Sequence, residues 1–411
     1  MIDTAVSSPV AAASRPLAGR TVAVVHAAWH SCGSYQLNVS QLLAYRALGA
    51  RTISIAVMDA PSPPPPDGGR WPAYIAATSD LPADARYFCG PTRMGLPAWW
   101  RVVHGDEAGY LIEMTKRVEL PSGVERERID LVHANHFFTL PLVARLKAAR
   151  DLPVLLETQD IQARQFVLRN ETRFCAPPVA RYEDLLAVEL DWMRRADRCI
   201  HLNAEENADF ARLLPQSSHR LVYPAIAPVA CGPGGERVIF VASNNLPNRQ
   251  SLRWLLAEAL PLAPQVAIEI YGNIDSGLAG LDRPLYEAHR HLFKGRVEDL
   301  NAVYAQSAAV LLPTIEGHGL SIKTVEAMSS GAPLIATRHA FRGMGFDPAS
   351  LRNVTLADDA ASFAAALRAI GTRSETTSRG ESDTRRLYDE KFSFDAYARA
   401  LEEAAAPLLR A

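Results

Sequence analysis

Short, continuous apolar runs alternate with helical patterns along almost the whole chain, and this alternation limits the fold more than any other feature. In the first half the runs are Thr21–Ala27, Thr52–Met58, Arg86–Cys89, Asp130–Ala134, Pro153–Glu157 and Cys199–Leu202. Runs without polar alternation predict strands covered on both faces. Helical patterns lie between them at Tyr35–Leu48, Phe138–Arg150, Val179–Arg195 and Ala204–Leu214. The second half repeats the scheme. Its strands are expected at Val238–Ala242, Ala267–Tyr271, His291–Lys294, Ala309–Leu312, Pro333–Thr337 and Val354–Ala357. Its helices are expected at Arg249–Leu260, Glu298–Gln306, Ser321–Ser330, Asp359–Ile370, Asp383–Lys391 and Phe394–Leu409. Repeated strand–helix–strand order predicts parallel sheets with right-handed crossovers. The fold class is therefore α/β, with two doubly wound, Rossmann-like domains expected to face each other across a cleft.

A length of 411 residues fits two or three domains. The Pro/Gly-rich stretch at 224–235 is the best boundary, which gives domains at 21–223 and 236–390. Residues 1–20, rich in Ala, Ser and Pro, read as a flexible tail, and 391–411 as a closing helix. The Pro61–Pro66 run reads as a stiff surface spacer and Ser374–Ser382 as a polar, mobile segment. A net charge of −2 gives no broad footprint for nucleic acid. Five widely spaced cysteines read as reduced thiols of a cytoplasmic protein, with Cys89 and Cys199 as small buried hydrophobes. No apolar run approaches the roughly 18–20 residues that a membrane span needs.

In open parallel sheets, ligands bind beyond the carboxyl ends of the strands. That rule selects His26–Ser34, His133–His136 and Gln159–Asp160 in the first domain. In the second it selects Ser243–Arg249, Gly272–Asn273, Gly295–Arg296 and Thr314–Leu320. The most informative stretch runs from Pro313 to Thr337. Gly317 and Gly319 let backbone approach a ligand, and Ser321 is placed to cap the following helix. The start of that helix suits a diphosphate, and Lys323 adds positive charge there. Glu326, one turn further on, shares a face with Lys323 and can accept hydrogen bonds from sugar hydroxyls. The alternative at this stage is a Gly-rich turn bearing a surface Lys–Glu pair.

This stretch resembles the donor-binding motif of glycosyltransferase family 4, the group 1 glycosyltransferases, which have the GT-B fold. Val238–Leu255 and Leu292–Ala305 are similar to other donor-domain segments of that family. Arg128–Arg145 and Leu155–Arg164 are similar to its acceptor-domain segments. The resemblance implies an acceptor-binding first domain and a nucleotide-sugar-binding second domain. Glu326 would hold the nucleotide ribose. The amides of Gly319, Leu320 and Ser321 would meet the diphosphate and sugar. Arg249 and Lys323 would neutralise the leaving phosphate, and Gly295, Arg296 and Val297 would contact the base. Gly33 and Ser34 match the loop that closes over the diphosphate from the acceptor side. The family's last helix often crosses back to the first domain, and Phe394–Leu409 is the segment that would do so.

The sequence also departs from the family. Where a Glu-x7-Glu spacing is common, His318 stands eight residues before Glu326, and Glu316 lies two positions earlier still; both join Lys323 and Arg249 as catalytic candidates. The loop after the first donor-domain strand carries Asn244, Asn245, Asn248 and Arg249 in place of the frequent Arg and Lys. Gln159 precedes Asp160 where many members have His before Asp. His30, His133 and His136, at expected strand ends, join Gln159 and Asp160 as acceptor-binding candidates. Zinc-type Cys/His spacings are absent, so no metal site is expected. Trp99 and Trp100 are expected to be buried, rather than to meet lipid or acceptor.

The reading is a retaining, metal-independent, hexosyl-transferring enzyme that needs no cofactor, because the nucleotide-sugar is a co-substrate. The acceptor would be a glycan or lipid-linked glycan of bacterial polysaccharide or glycoconjugate biosynthesis. Such an enzyme would be cytoplasmic, and peripheral on the inner membrane face where the acceptor is lipid-linked. His318 and Gln159 motivate an alternative, a GT-B-like scaffold or activating subunit without turnover. A GT-B epimerase or phosphorylase is a further one.

Overall fold

The computed structural model describes residues 15–30, 32–59, 74, 77–91, 93–370 and 378–409. The expected tail over 1–14, the Pro61–Pro66 run and residues 374–377 lie outside them. The chain divides into two compact units, one of residues 1–224 with 397–411 and one of residues 225–396.

The first unit holds strands β1 (Thr21–Ala27), β2 (Arg51–Val57), β3 (Ala85–Cys89), β4 (Leu131–Asn135), β5 (Val154–Glu157), β6 (Arg198–His201) and β7 (His219–Leu221). They form one parallel sheet in the order β3-β2-β1-β4-β5-β6-β7. Its helices are α1 (Gly33–Ala47), α2 (Leu96–Val103), α3 (Glu107–Lys116), α4 (Ser122–Arg126), α5 (Leu140–Arg150), α6 (Gln162–Thr172), α7 (Tyr182–Met193) and α8 (Ala204–Leu213). Every residue of β1 is buried, as a central strand between two helical layers requires. One large apolar core gathers β-branched residues of β1, β2 and β4 with side chains such as Leu111, Leu142, Phe166 and Leu185.

The second unit holds β8 (Arg237–Val241), β9 (Ile268–Tyr271), β10 (Phe293–Gly295), β11 (Ser307–Leu312), β12 (Leu334–Ala336) and β13 (Val354–Leu356). Their order is β10-β9-β8-β11-β12-β13, again with parallel pairing. The helices are α9 (Leu246–Trp254), α10 (Asp275–Leu281), α11 (Arg283–His289), α12 (Leu300–Ala305), α13 (Ile322–Ser329), α14 (Ala360–Arg368) and α15 (Asp383–Lys391). The stretch read as a linker is tied to this unit. Val229 N–H donates to Ser329 Oγ at 2.9 Å, and Gly234 N–H to the Ala305 carbonyl at 3.1 Å. Helix α16 (Phe394–Ala405) begins in the second unit and continues in the first. There Tyr397 is fully buried, and Arg198 Nη1 donates to the Ala404 carbonyl at 2.6 Å.

Several expectations need correction. Residues 15–20 are not a loose tail: Leu17 is buried, and its N–H donates to the Leu48 carbonyl at 3.1 Å. Residues 379–381 form a short 3₁₀ turn because the Arg379 guanidinium is buried and donates to the Ser307 carbonyl at 2.6 Å. Trp99 and Trp100 are 52% and 60% exposed, since α2 buries only Ala98 and turns both indoles outward. Helices α2, α3, α4, α6, α10 and α11 and strand β7 were not expected. The β7 run is three residues of mixed polarity, and α6 carries too few apolar residues to show a clear period.

Helix α6 shows how remote residues complete a local element. Its N-cap position is Ile161, which has no side-chain acceptor. Glu189 of α7 supplies one instead, accepting from Gln162 N–H at 3.1 Å and Ala163 N–H at 3.0 Å. Glu206 of α8 accepts from Ile161 N–H at 3.3 Å. Burial pushes Glu189 up to about 8 and Glu206 up to about 7.

These shifts predict a pH dependence. A carboxyl whose folded pKa is raised stabilises the fold below its unfolded value, and that contribution is lost as pH rises through the folded value. Glu189 and Glu206, with Glu157 at about 7, therefore weaken the fold between about pH 4.5 and 8. Burial lowers His26 to about 4 and His133, His136 and His201 to about 3, so their contribution is complete above 6.5 and lost on acidification. Between pH 6.5 and 8.5 the buried carboxyls dominate, and the melting temperature should fall. Glu189→Gln should flatten that slope. It should also cost about 1–3 kcal/mol, because the new amide leaves one α6 N–H unpaired.

Candidate functional site

In each unit the strand order reverses at one place, between β1 and β4 and between β8 and β11. At such a point the connections leave in opposite directions and open a crevice at the carboxyl edge.

In the second unit, β8 leads into a loop stiffened by asparagine amides. Asn245 caps α9 by accepting from Asn248 N–H at 2.9 Å, and Asn248 Nδ2 donates to the Ser243 carbonyl at 2.9 Å. Asn273 Oδ1, after β9, accepts from Asn244 N–H at 3.0 Å. The cap starts α9 at Leu246, three residues before the expected start, so Arg249 lies within its first turns. Arg249 is half-buried and its Nε, shielded from water, has no hydrogen-bond partner. A Cβ on Gly277 of α10 would come 2.7 Å from Arg249 Cδ, so the glycine makes room for this side chain. Ser251 Oγ, also on α9, accepts from Ile315 N–H at 3.3 Å and holds the loop that follows β11.

That loop carries Gly317 at φ 122° and Gly319 at φ 67°. The Arg342 guanidinium lies over Gly317, where a Cβ would meet Nη2 at 3.0 Å. His318 and Glu316 are exposed, and among the described residues their side chains make no hydrogen bond. Ser321 does not cap α13 with its hydroxyl, contrary to expectation. It is buried, and its Oγ lies 2.8 Å from the Thr324 hydroxyl, which also donates to the Ala340 carbonyl at 2.7 Å. The start of α13 is therefore left without its side-chain cap, an arrangement suited to a bound anion.

Lys323 Nζ lies 3.0 Å from both carboxylate oxygens of Glu326. Tyr304 of α12, fully buried, donates its hydroxyl to Glu326 Oε1 at 2.8 Å. A buried phenol needs a polar partner, and this one fixes the carboxylate that the lysine also holds. Neither Tyr304 nor Arg342 was singled out from the sequence. The clue to Tyr304 was its aromatic hydroxyl, which with Asn301 is one of two polar side chains on the short helix α12. Gly295, half-buried at φ 72°, ends β10, with Arg296 exposed and Val297 half-buried after it.

In the first unit, Gly33 and Ser34 open α1. The Ser34 hydroxyl donates to Gln159 Oε1 at 2.7 Å. Gln159, after β5, and His136, after β4, both adopt positive φ, 65° and 64°. Non-glycine residues in this region are strained and concentrate at functional sites. The His136 ring is buried, stacked 4.9 Å from Phe138 and tilted against Trp29 at 5.1 Å, and neither of its nitrogens has a partner. Burial keeps it neutral.

His133 does not lie at a strand end. It is the third of five residues in β4, fully buried, with Nδ1 2.9 Å from the Tyr45 hydroxyl. It therefore offers nothing to an acceptor in this structure. His30 is exposed, its ring 6.2 Å from Tyr74. Asp160 turns from Gln159 toward α6 and accepts from the Gln162 side-chain amide; burial raises its pKa. Among the described residues no three His, Cys, Asp or Glu side chains converge as a metal site. No described helix is long and apolar enough to cross a membrane.

Residues 235–372, which lie in the second unit, match the family model described as "Glycosyl transferases group 1". No curated protein matches the sequence. Among solved structures, HepE of Anabaena in complex with UDP is 13% identical, over 94% of this chain and 100% of that one, with a TM-score of 0.60. Sucrose-phosphate synthase of Thermosynechococcus elongatus is 17% identical, over 95% and 99%, with a TM-score of 0.59. A glycosyltransferase from Rickettsia africae is 13% identical over the same shares, with a TM-score of 0.59. These likenesses establish the fold: two parallel-sheet, Rossmann-like domains of the GT-B type.

The two loop glycines should respond differently to substitution. Gly317→Ala places a Cβ against Arg342 at a φ that L-residues rarely adopt, and should cost about 1–3 kcal/mol in denaturant unfolding. Gly319→Ala, with nothing within 4 Å and a φ near the left-handed helical region, should cost clearly less.

Proposed function

We propose that this chain is a nucleotide-sugar glycosyltransferase of the group 1 type that transfers a hexosyl unit with retention of configuration and without a metal. The observation that carries the reading is the anion-ready cluster of the second unit. It combines an uncapped helix start behind a two-glycine loop, a Lys323–Glu326 pair braced by Tyr304, and an Arg249 whose Nε lacks a partner. Helix dipole, Arg249 and Lys323 supply positive field where a departing diphosphate gathers charge. Glu326 offers a carboxylate for the two ribose hydroxyls, its orientation fixed by the hydroxyl that Tyr304 donates to Oε1. In the complexes of HepE the ligand is UDP or UDP-glucose, which supports a uridine nucleotide as the first donor to test.

On the first unit, Gln159 is the strained, strand-end polar group offered to an acceptor; His136, equally strained, is closed off from water and neutral. A growing glycan or lipid-linked glycan is the acceptor class proposed, in polysaccharide or glycoconjugate assembly on the cytoplasmic side.

A thermal-shift panel of UDP, GDP, dTDP, ADP and their sugars tests the donor, because a ligand that binds only the folded state raises its stability. One nucleotide family should raise the melting temperature; no shift with any of them would remove the reading. Glu326→Ala and Lys323→Ala should each cut transfer by at least about tenfold, or roughly 1.4 kcal/mol. A wild type that binds the nucleotide-sugar and turns over only with a second chain would mark the scaffold reading instead.

A further inference from the structure

Helix α2 of the first unit turns its apolar face to solvent. Leu96, Trp99, Trp100 and Val103 recur at the spacing that lines one side of a helix. Leu96 is 83% exposed, both indoles stand out of the fold, and Val103 is half-buried. Apolar side chains flank this stripe at both ends. Met94 is exposed just before the N-cap residue Gly95. At the other end the segment after α6 is pinned to α2. Ala176 N–H donates to the Val103 carbonyl at 2.8 Å, and His104 Nδ1 lies 2.8 Å from the Ala176 carbonyl. Two residues before that pin stands Phe174, 92% exposed.

The surroundings of the stripe are basic. No acidic residue lies between Arg93 and His104. Arg93 is exposed before the helix, and Arg117 lies over its amino end, where a Cβ on Gly95 would collide with the guanidinium. The first acids after the helix are already matched. Asp106 is paired with Arg101, while Glu107 is paired with Arg169 and lies 3.2 Å from Arg173 Nη1. One carboxylate is thus shared by two guanidiniums, and the rim stays positive on a chain whose net charge is −2. Apolar side chains stabilise a core only when they leave water, so a tryptophan pair left outside adds nothing to this fold. Single exposed apolar residues are ordinary, but a contiguous stripe with a charged rim marks an interaction surface.

We propose that α2, with Phe174 beside it, is a docking surface for an anionic lipid bilayer. Its apolar stripe lies in the headgroup layer, where an indole keeps its apolar body in the acyl boundary and its N–H toward water. The guanidiniums of Arg93 and Arg117 meet lipid phosphates at the rim. At about 1.5 Å per residue, this eight-residue helix is about 12 Å long, enough to lie along that layer and far too short to cross it. Charge decides against a second copy of the chain as the occupant. Two-fold pairing through this face would set the basic rim of one copy against that of the other, whereas an anionic bilayer complements both the stripe and the rim. The inference draws on the first unit alone. It is independent of the function proposed above, because neither nucleotide nor sugar takes part.

Flotation of the full chain with lipid vesicles tests this surface. Vesicles of phosphatidylcholine with about 30% phosphatidylglycerol should bind it at least about tenfold more tightly than phosphatidylcholine alone, and binding should weaken as salt rises from about 0.05 to 0.5 M. The double variant Trp99→Ser/Trp100→Ser should lose about tenfold or more in affinity for the anionic vesicles, with its melting temperature within about 2 °C of the wild type's, because both indoles are exposed. Should that variant fail to fold, Phe174→Ser carries the test, with an expected loss of about threefold. Arg93→Gln/Arg117→Gln should remove most of the preference for phosphatidylglycerol. No binding of the wild type to anionic vesicles, or equal binding by the wild type and the folded variants, overturns the proposal. Self-association of the wild type that the tryptophan variant abolishes, without vesicle binding, gives the face to a second copy and overturns it too. None of these results bears on the proposed function, which the nucleotide panel decides.

Discussion

A parallel sheet whose strand order reverses leaves one place at its carboxyl edge that crossover helices cannot cover. Both units have such a place, at β1/β4 and at β8/β11, and the chemistry described here gathers around them. The sheets stay rigid because their central strands are buried on both faces by helices. Loops leaving the same edge can then carry strained or uncapped backbone without loosening the core.

The two edges differ in how they treat charge. The second unit exposes positive potential: an arginine with an unpartnered Nε, a lysine shared with a glutamate, and a helix start without its side-chain cap. The first unit buries polar groups in number. His26, His133, Gln41, Asn135 and Glu157 are all closed off from water. A buried polar group is tolerated only where it finds partners, and most of these do. Among those without a partner are both ring nitrogens of His136, one ring nitrogen of His133 and one oxygen of Glu157.

The asparagines after β8 show the limit of reading a motif residue by residue. Read from the sequence, they are departures from a basic loop. In the folded chain they cap α9 and tie the loop to the β9 turn, with Arg249 in the first turns of that helix. The lysine–glutamate pair shows the converse. As a surface pair it had an ordinary explanation. With Tyr304 behind it, the pair becomes a carboxylate held in one orientation, which a solvated pair on a helix surface would not be.

The sequence by itself determined the two α/β units, nearly all strands, and the Gly317–Glu326 stretch as the place to look. Burial on both faces writes strands as unbroken apolar runs, and the spacing of glycine, lysine and glutamate survives on one helix turn. It misplaced Trp99, Trp100 and Arg379, whose burial depends on what packs against them. It also took His133 for a strand-end residue, because a difference of two positions at a strand terminus separates an edge from a core. Only the tertiary structure decided that Tyr304 braces Glu326, that Glu189 and Glu206 cap α6, and that Ser34 bonds Gln159. Those contacts join residues 22 to 125 positions apart, and no local period in a chain records a hydrogen bond made across a sheet.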